Sequence, residues 1–168
     1  DDEDEPAAVQ AAACAALGLI LPADRDETAA VLRKKLTHPD ALVRARAALA
    51  LFRVAEDKGG LKEAVAGLGS RSLAVRVTAA ETVWRINKDA NAVALLVRLL
   101  EEENLEGDTG EGGRRLLAEA LGRIGSSAKD AVPELTKLIA NRDYLLATAA
   151  RAALKSVDPE AAKKSEKK

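Results

Sequence analysis

Apolar residues recur along this chain at the spacing that one face of an α-helix requires. In each of five segments, an isoleucine or a valine has one apolar residue three positions before it and another seven positions before it. Offsets of three, four and seven residues place side chains on the same side of a helix. Each segment therefore predicts an amphipathic helix of at least three turns. The five helices end near Ile20, Val54, Ile86, Ile124 and Val157.

Shorter stretches between these helices predict a second set. Glycine, proline and aspartate stand in the connectors, where helices stop and start. The stretches are Glu27–Leu36, Leu61–Leu68, Ala92–Glu102 and Ala131–Ile139. Two antiparallel helices per period of roughly 34 residues form a hairpin that cannot bury its own apolar face, so neighbouring hairpins must stack. We therefore predict an all-α fold, an α-solenoid in which about four and a half helical hairpins form a right-handed superhelix.

The predicted solenoid forms a single domain over residues 1–168. Its hairpins occupy approximately residues 25–56, 60–88, 90–126 and 129–160, after a half repeat at 6–21 and before a basic tail at 161–168. The first helix has no recognisable partner helix before it. We expect the remainder of a longer chain, or another subunit, to cover its apolar side.

The second helices share the motif Val-Arg-x-x-Ala-Ala, which begins at Val43 and again at Val75. A first helix opens with Ala131-Val132-Pro133-x-Leu135-x-x-Leu138. Both motifs resemble HEAT repeats, most closely the short bacterial type also called phycobilisome-lyase HEAT-like repeats, and the resemblance covers roughly residues 6 to 160. The resemblance implies a protein-binding scaffold with second helices along its concave side. It also implies pairing of the turn acid Asp40 with Arg44.

Composition narrows the classes of protein to which this chain can belong. Charged residues make up 32% and apolar residues 48%, which is neither a disordered nor a membrane composition. The net charge of −1 argues against a dedicated nucleic-acid binder, which normally has a clear basic excess. The single cysteine, Cys14, excludes an intrachain disulfide, and we expect its thiol to be buried. We predict a soluble protein without membrane insertion, with the cytoplasm marginally favoured as its compartment.

Residues for catalysis or metal binding are scarce. His38 is the one histidine, and its neighbours Thr37 and Pro39 indicate a hairpin turn. Nucleophilic catalysis needs a base beside the nucleophile, and zinc sites draw on several histidine or cysteine ligands. The acidic, glycine-rich segment 101–113 lacks the signatures of phosphate-binding and calcium-binding loops, and it predicts a surface insertion. We predict no enzyme activity, no metal and no cofactor.

The helical wheel of the second helices indicates one candidate binding surface. The only phenylalanine and the only tryptophan, Phe52 and Trp84, stand at equivalent positions of adjacent repeats, on the side away from the hairpin core. An arginine follows each of them, and aromatic residues and arginine are enriched at interface hot spots. The predicted partner-binding residues are Arg46, Leu49, Phe52, Arg53, Glu81, Trp84, Arg85, Glu119 and Arg123. An alternative interpretation has the rings filling gaps between repeats, with arginine stems packed over them.

These features predict a non-catalytic scaffold that binds a peptide or a protein on its concave face. Two alternatives stay open. One is a nucleic-acid-binding protein of the HEAT-like class, whose affinity would fall steeply with salt. The other is an accessory subunit of an enzyme, for example of a bilin-lyase-type complex.

Overall fold

The computed structural model describes residues 5–20, 22–102 and 110–165, and these residues contain helices, turns and connecting segments but no strand. The prediction of an all-α fold is therefore confirmed. The helices are α1 (Ala7–Ile20), α2 (Arg25–Lys35), α3 (Ala41–Ala55), α4 (Leu61–Gly67), α5 (Leu73–Asn87), α6 (Ala90–Glu101), α7 (Gly110–Ile124), α8 (Val132–Leu138), α9 (Tyr144–Val157) and α10 (Pro159–Ser165). Two 3-10 segments, Lys58–Gly60 and Gly125–Ala131, precede α4 and α8.

Aspartate side chains fix where several helices begin. At the start of α3, the Asp40 carboxylate accepts hydrogen bonds from the backbone N–H groups of Leu42 and Val43, at 2.8 and 3.0 Å. Asp143 caps α9 in the same manner, through the N–H of Leu146. These caps satisfy backbone donors that have no partner inside the helix.

The odd-numbered helices from α1 to α9, called the inner helices below, pack against one another in chain order. Each of α3, α5 and α7 packs against the even-numbered helix before it and against the next odd-numbered helix. The side chains predicted to face the hairpin core are buried there, among them Leu51, Val83 and Leu121. They belong to two apolar clusters, one drawn from α1 to α3 and a larger one drawn from α4 to α10. Burial of these apolar stripes holds the helices together.

Helix α1 departs from this pattern. Its register-matched residues Ala13 and Ile20 are exposed, whereas Ala11 and Cys14 are buried against α3. In α3 the equivalent face is covered by α2. Among the described residues, α1 leaves much of that face exposed, although Leu17 packs against the cluster of α1 to α3.

Helix α10 contains the described part of the predicted basic tail, in which Lys163 and Lys164 are exposed. Ala162 is buried in the larger apolar cluster, because the short helix turns its alanine side toward α9. Residues 166–168 of the predicted tail, and residues 103–109 of the predicted insertion, lie outside the described residues. No described helix combines the length and the apolar character needed to cross a bilayer.

Two pairs of inner helices approach closely at a glycine. A Cβ added to Gly18 of α1 would lie 2.9 Å from the Cα of Ala50 in α3. A Cβ added to Gly122 of α7 would lie 2.9 Å from the Cα of Ala153 in α9. Any larger side chain would force the backbones apart, so these glycines set the spacing of their helix pairs.

Candidate binding site

A buried glutamate on α5 joins three consecutive inner helices. The Glu81 side chain is only 1% exposed, and its Oε1 accepts hydrogen bonds from Arg53 Nη2 at 2.6 Å and from Arg85 Nε at 3.0 Å. Its Oε2 accepts a hydrogen bond from Arg123 Nε at 3.0 Å and lies 2.9 Å from Arg123 Nη2 in an ion pair. The arginines belong to α3, α5 and α7, so one carboxylate links all three helices.

The electrostatics of this cluster favour the ionised form of the glutamate. Burial acts to raise the pKa of the Glu81 carboxyl, but the charges and hydrogen bonds of Arg123, Arg53 and Arg85 outweigh it and hold the pKa below its ordinary value. Burial also lowers the pKa of Arg53, although guanidinium groups remain charged at neutral pH. Three positive charges against one negative charge leave the cluster positive.

Two helices have an aromatic residue at the repeat position where the closely packed pairs have glycine. Phe52 in α3 and Trp84 in α5 are the register equivalents of Gly18 and Gly122, and both are half-buried. Helices α3 and α5, and α5 and α7, pack less extensively against each other than the glycine-containing pairs do. We attribute this less extensive packing to the bulk of the two rings at a position where glycine brings two backbones together in the other pairs.

The ring of Trp84 contacts both apolar and charged side chains. Its ring packs against the larger apolar cluster, and Lys88 Nζ lies 4.1 Å from the ring centroid in a cation–π contact. The guanidinium carbon of Arg85 lies 5.9 Å from the same centroid. The ring therefore has a packing role within the described residues.

Six of the nine predicted partner-binding residues line one pocket of about 220 Å³. They are Arg46, Leu49, Arg53, Glu81, Glu119 and Arg123, while Phe52, Trp84 and Arg85 lie outside the lining. The pocket also takes residues from α1, of which Leu19 is 65% exposed. Sequence reasoning missed Leu19, although the alignment of the inner helices places it in register with Arg53 and could have identified it.

The expectation that Glu81 faces solvent is wrong. Helices α3 and α7 flank α5 on both sides, and the arginines that they contribute cover the carboxylate. Glu81 therefore acts on the pocket through the arginines that it holds. By contrast, Glu119 and Arg123 are exposed at the pocket rim, and Arg46 and Leu49 are half-buried.

A second groove of about 530 Å³ adjoins the pocket, between α7 and α9. Small and apolar residues dominate its lining, including Leu145, Ala149 and Ala152, and Leu145 is 57% exposed. Glu119 and Arg123 belong to both linings, so the groove continues the pocket. The sequence analysis missed this groove, for which the available signal was Leu145, an apolar residue off the apolar face of α9.

The side chains of His38 and Cys14 have structural rather than reactive environments. His38 Nδ1 accepts a hydrogen bond from the backbone N–H of Asp40 at 3.0 Å, within the turn before α3. Burial raises the pKa of the Cys14 thiol, which disfavours the reactive thiolate. Within the described ranges, no three His, Cys, Asp or Glu side chains are grouped so that they could hold a metal ion.

Arg44 does not make the pairing that the sequence suggested. Asp40 caps α3 instead, and Arg44 Nη1 donates to the backbone carbonyls of His38 and Pro39, at 2.6 and 2.7 Å. Arg44 Nε also lies 3.4 Å from a carboxylate oxygen of Glu63 in α4. The residue ties the turn to the next hairpin, which is a structural role.

Comparison with known proteins gives no further assignment, since no family model matches the chain and no curated protein matches it.

Proposed function

We propose that this chain is a non-catalytic binding module, an α-solenoid of HEAT-like repeats that holds a peptide or a protein segment along its inner helices. The repeated hairpin pattern and the packing of each inner helix on the next support the solenoid arrangement. The bound segment would lie in the pocket formed by α1, α3, α5 and α7, and it would continue into the α7/α9 groove.

The observation that carries the proposal is the pocket itself, which draws residues from four inner helices and opens into an apolar groove. A pocket of about 220 Å³ suits one or two side chains of a partner, since pockets for small-molecule ligands run to roughly 300–1,000 Å³. An exposed apolar groove beside charged residues has the composition of an interaction surface.

The arginine cluster supports binding for a further reason. The hydrogen bonds from Arg53 and Arg123 to Glu81 hold both guanidinium groups in fixed positions. A side chain that is already ordered loses less conformational entropy when a partner binds. Glu81 is thus a positioning residue in the proposed site.

Selection from a random peptide library displayed on phage tests the proposal, with the folded protein as bait. We expect enriched peptides to lose about tenfold or more in affinity for Ala152→Trp, because the indole fills the α7/α9 groove. Ala152 is exposed, so the substitution leaves the core intact. The matched control is Ala94→Trp, at an exposed position of α6, where affinity should stay unchanged.

Two outcomes would count against the proposal. One is that no peptide is enriched above background. The other is that enriched peptides bind Ala152→Trp and Ala94→Trp equally well. Circular dichroism and melting temperature of both variants ensure that lost binding does not reflect unfolding.

A further inference from the structure

The guanidinium groups at the pocket have hydrogen-bonding capacity to spare. An arginine carries five N–H donors, and the bond to Glu81 uses one of those on Arg53. Arg46 makes no hydrogen bond or ion pair with any residue in the described ranges. The one buried side-chain nitrogen without a partner among the described residues is Arg76 Nε, outside the pocket lining. The spare donors of Arg46 and Arg53 therefore reach the solvent in the pocket.

The charges that line the pocket leave it positive for an incoming group. Arg46, Arg53 and Arg123 face two carboxylates, of which Glu81 is already bonded to three arginines. Glu119 lies at the rim, 44% exposed, with a carboxylate oxygen 4.0 Å from Arg123 Nη1. A second anion would find unused donors here, and the flat fork of a guanidinium fits a carboxylate with two parallel hydrogen bonds.

The neighbouring groove complements an aliphatic side chain. Leu145, Ala149 and Ala152 offer apolar surface, and Arg123 stands at the junction of the two linings. A single extended segment can thus present one side chain to the pocket and another to the groove. Burial of the apolar side chain would add affinity, while the charge pair would fix the register.

We infer that the partner is a peptide segment in which an aspartate or glutamate, bound by Arg46 and Arg53, stands near an aliphatic residue that enters the α7/α9 groove. This inference rests on the proposed function and specifies the chemistry of its ligand. Nucleic acid fits the same arginines less well. Leu49 and Leu19 line the pocket, Glu119 stands at its rim, and Lys88 already lies against the Trp84 ring on which a base could stack.

Peptides selected on the wild-type protein provide the probes, each also made with its aspartates and glutamates replaced by asparagine and glutamine. We expect the amide forms to bind the wild-type protein about tenfold to hundredfold more weakly, which is the usual range for a hydrogen bond to a charged group. In Arg46→Gln the acidic form should lose about tenfold, and the gap between acidic and amide forms should narrow. Arg98→Gln, an exposed arginine of α6, is the matched control for the same change of charge and should bind as wild type.

The outcomes separate this inference from the proposed function. Peptides that depend on the groove, as judged by Ala152→Trp, but bind equally well as amides would overturn the inference and leave the proposed function standing. Equal losses in Arg46→Gln and Arg98→Gln would also overturn it, because they would indicate unspecific attraction. Single-stranded or duplex DNA that binds more tightly than the peptides at about 150 mM salt, and that is lost in Arg46→Gln, would replace the peptide with a nucleic acid. Peptides whose affinity is unchanged in Ala152→Trp would contradict both the proposed function and this inference.

Discussion

The closely packed pairs α1/α3 and α7/α9 differ from the middle of the molecule, where α5 lies between α3 and α7. At the outer boundaries a glycine lets two backbones meet, and small side chains fill the interface. In the middle, Phe52 and Trp84 replace the glycines, and a glutamate with three arginines occupies the interface. At this position of the repeat, glycine accompanies close apolar packing and an aromatic ring accompanies buried charges.

Removal of the central carboxylate should have the largest effect on stability. Glu81→Ala leaves three arginines beside one another without their shared anion, and loss of one partner from a buried ion cluster costs about 3–5 kcal/mol. Chemical denaturation of the variant measures the free energy of unfolding. The matched control is Glu119→Ala, an exposed glutamate of α7 whose removal should cost less than about 1 kcal/mol. Equal losses in the two variants would mean that the buried cluster does not stabilise the middle of the molecule.

A methyl group at a close helix contact should have the next largest effect. In Gly122→Ala the new Cβ would lie 2.9 Å from the Cα of Ala153, and overpacking of this kind costs about 1–3 kcal/mol. Gly112→Ala in the same helix is the control, because its new Cβ would meet no atom within 4 Å. That control should gain about 0.5–1 kcal/mol, since alanine favours the helix over glycine. Thermal unfolding that shows a gain in both variants would contradict the close contact.

Acid should weaken the middle of the molecule by a smaller amount. The pKa of Glu81 lies below its ordinary value of about 4.3, so its contribution to stability is complete above that pH and is lost as the pH falls through the lowered pKa. Between roughly pH 5 and pH 3, the wild type should therefore lose more stability than Glu81→Gln, which has no proton to take up at this position. Urea titrations of both proteins across that range measure the difference, and parallel slopes would argue against ionised Glu81 as a source of stability.

Local spacing was enough to predict the helices and much of the surface that they form. Leu51 and Leu121 are buried as predicted because their positions depend only on the helical period. The same period placed Arg53 and Arg123 in one column, and the structure brings both to one pocket. These features follow from residues within a few turns of one another.

Burial of Glu81 was beyond that reasoning because it depends on the distance between neighbouring helices. Glycine at one repeat position lets α1 approach α3 and α7 approach α9 closely, whereas α3 and α5 have an aromatic ring at that position. The available signal was an acid with an arginine four residues later, between helices that each carry an arginine in the same column. The α7/α9 groove was not predicted for a similar reason. Its walls come from two helices, and a helical wheel gives no information on the spacing between helices.

The shared carboxylate also bears on how the chain melts. In arrays of helical hairpins, stability is close to a sum of terms between nearest neighbours, so separate stretches can open independently. The two apolar clusters divide the described helices between α3 and α4, and the bond from Arg53 to Glu81 crosses that division. The packing of α3 on α4 and α5 also crosses it, so Glu81 adds an ionic link to a packed boundary, and its loss would weaken the cooperativity between the two halves.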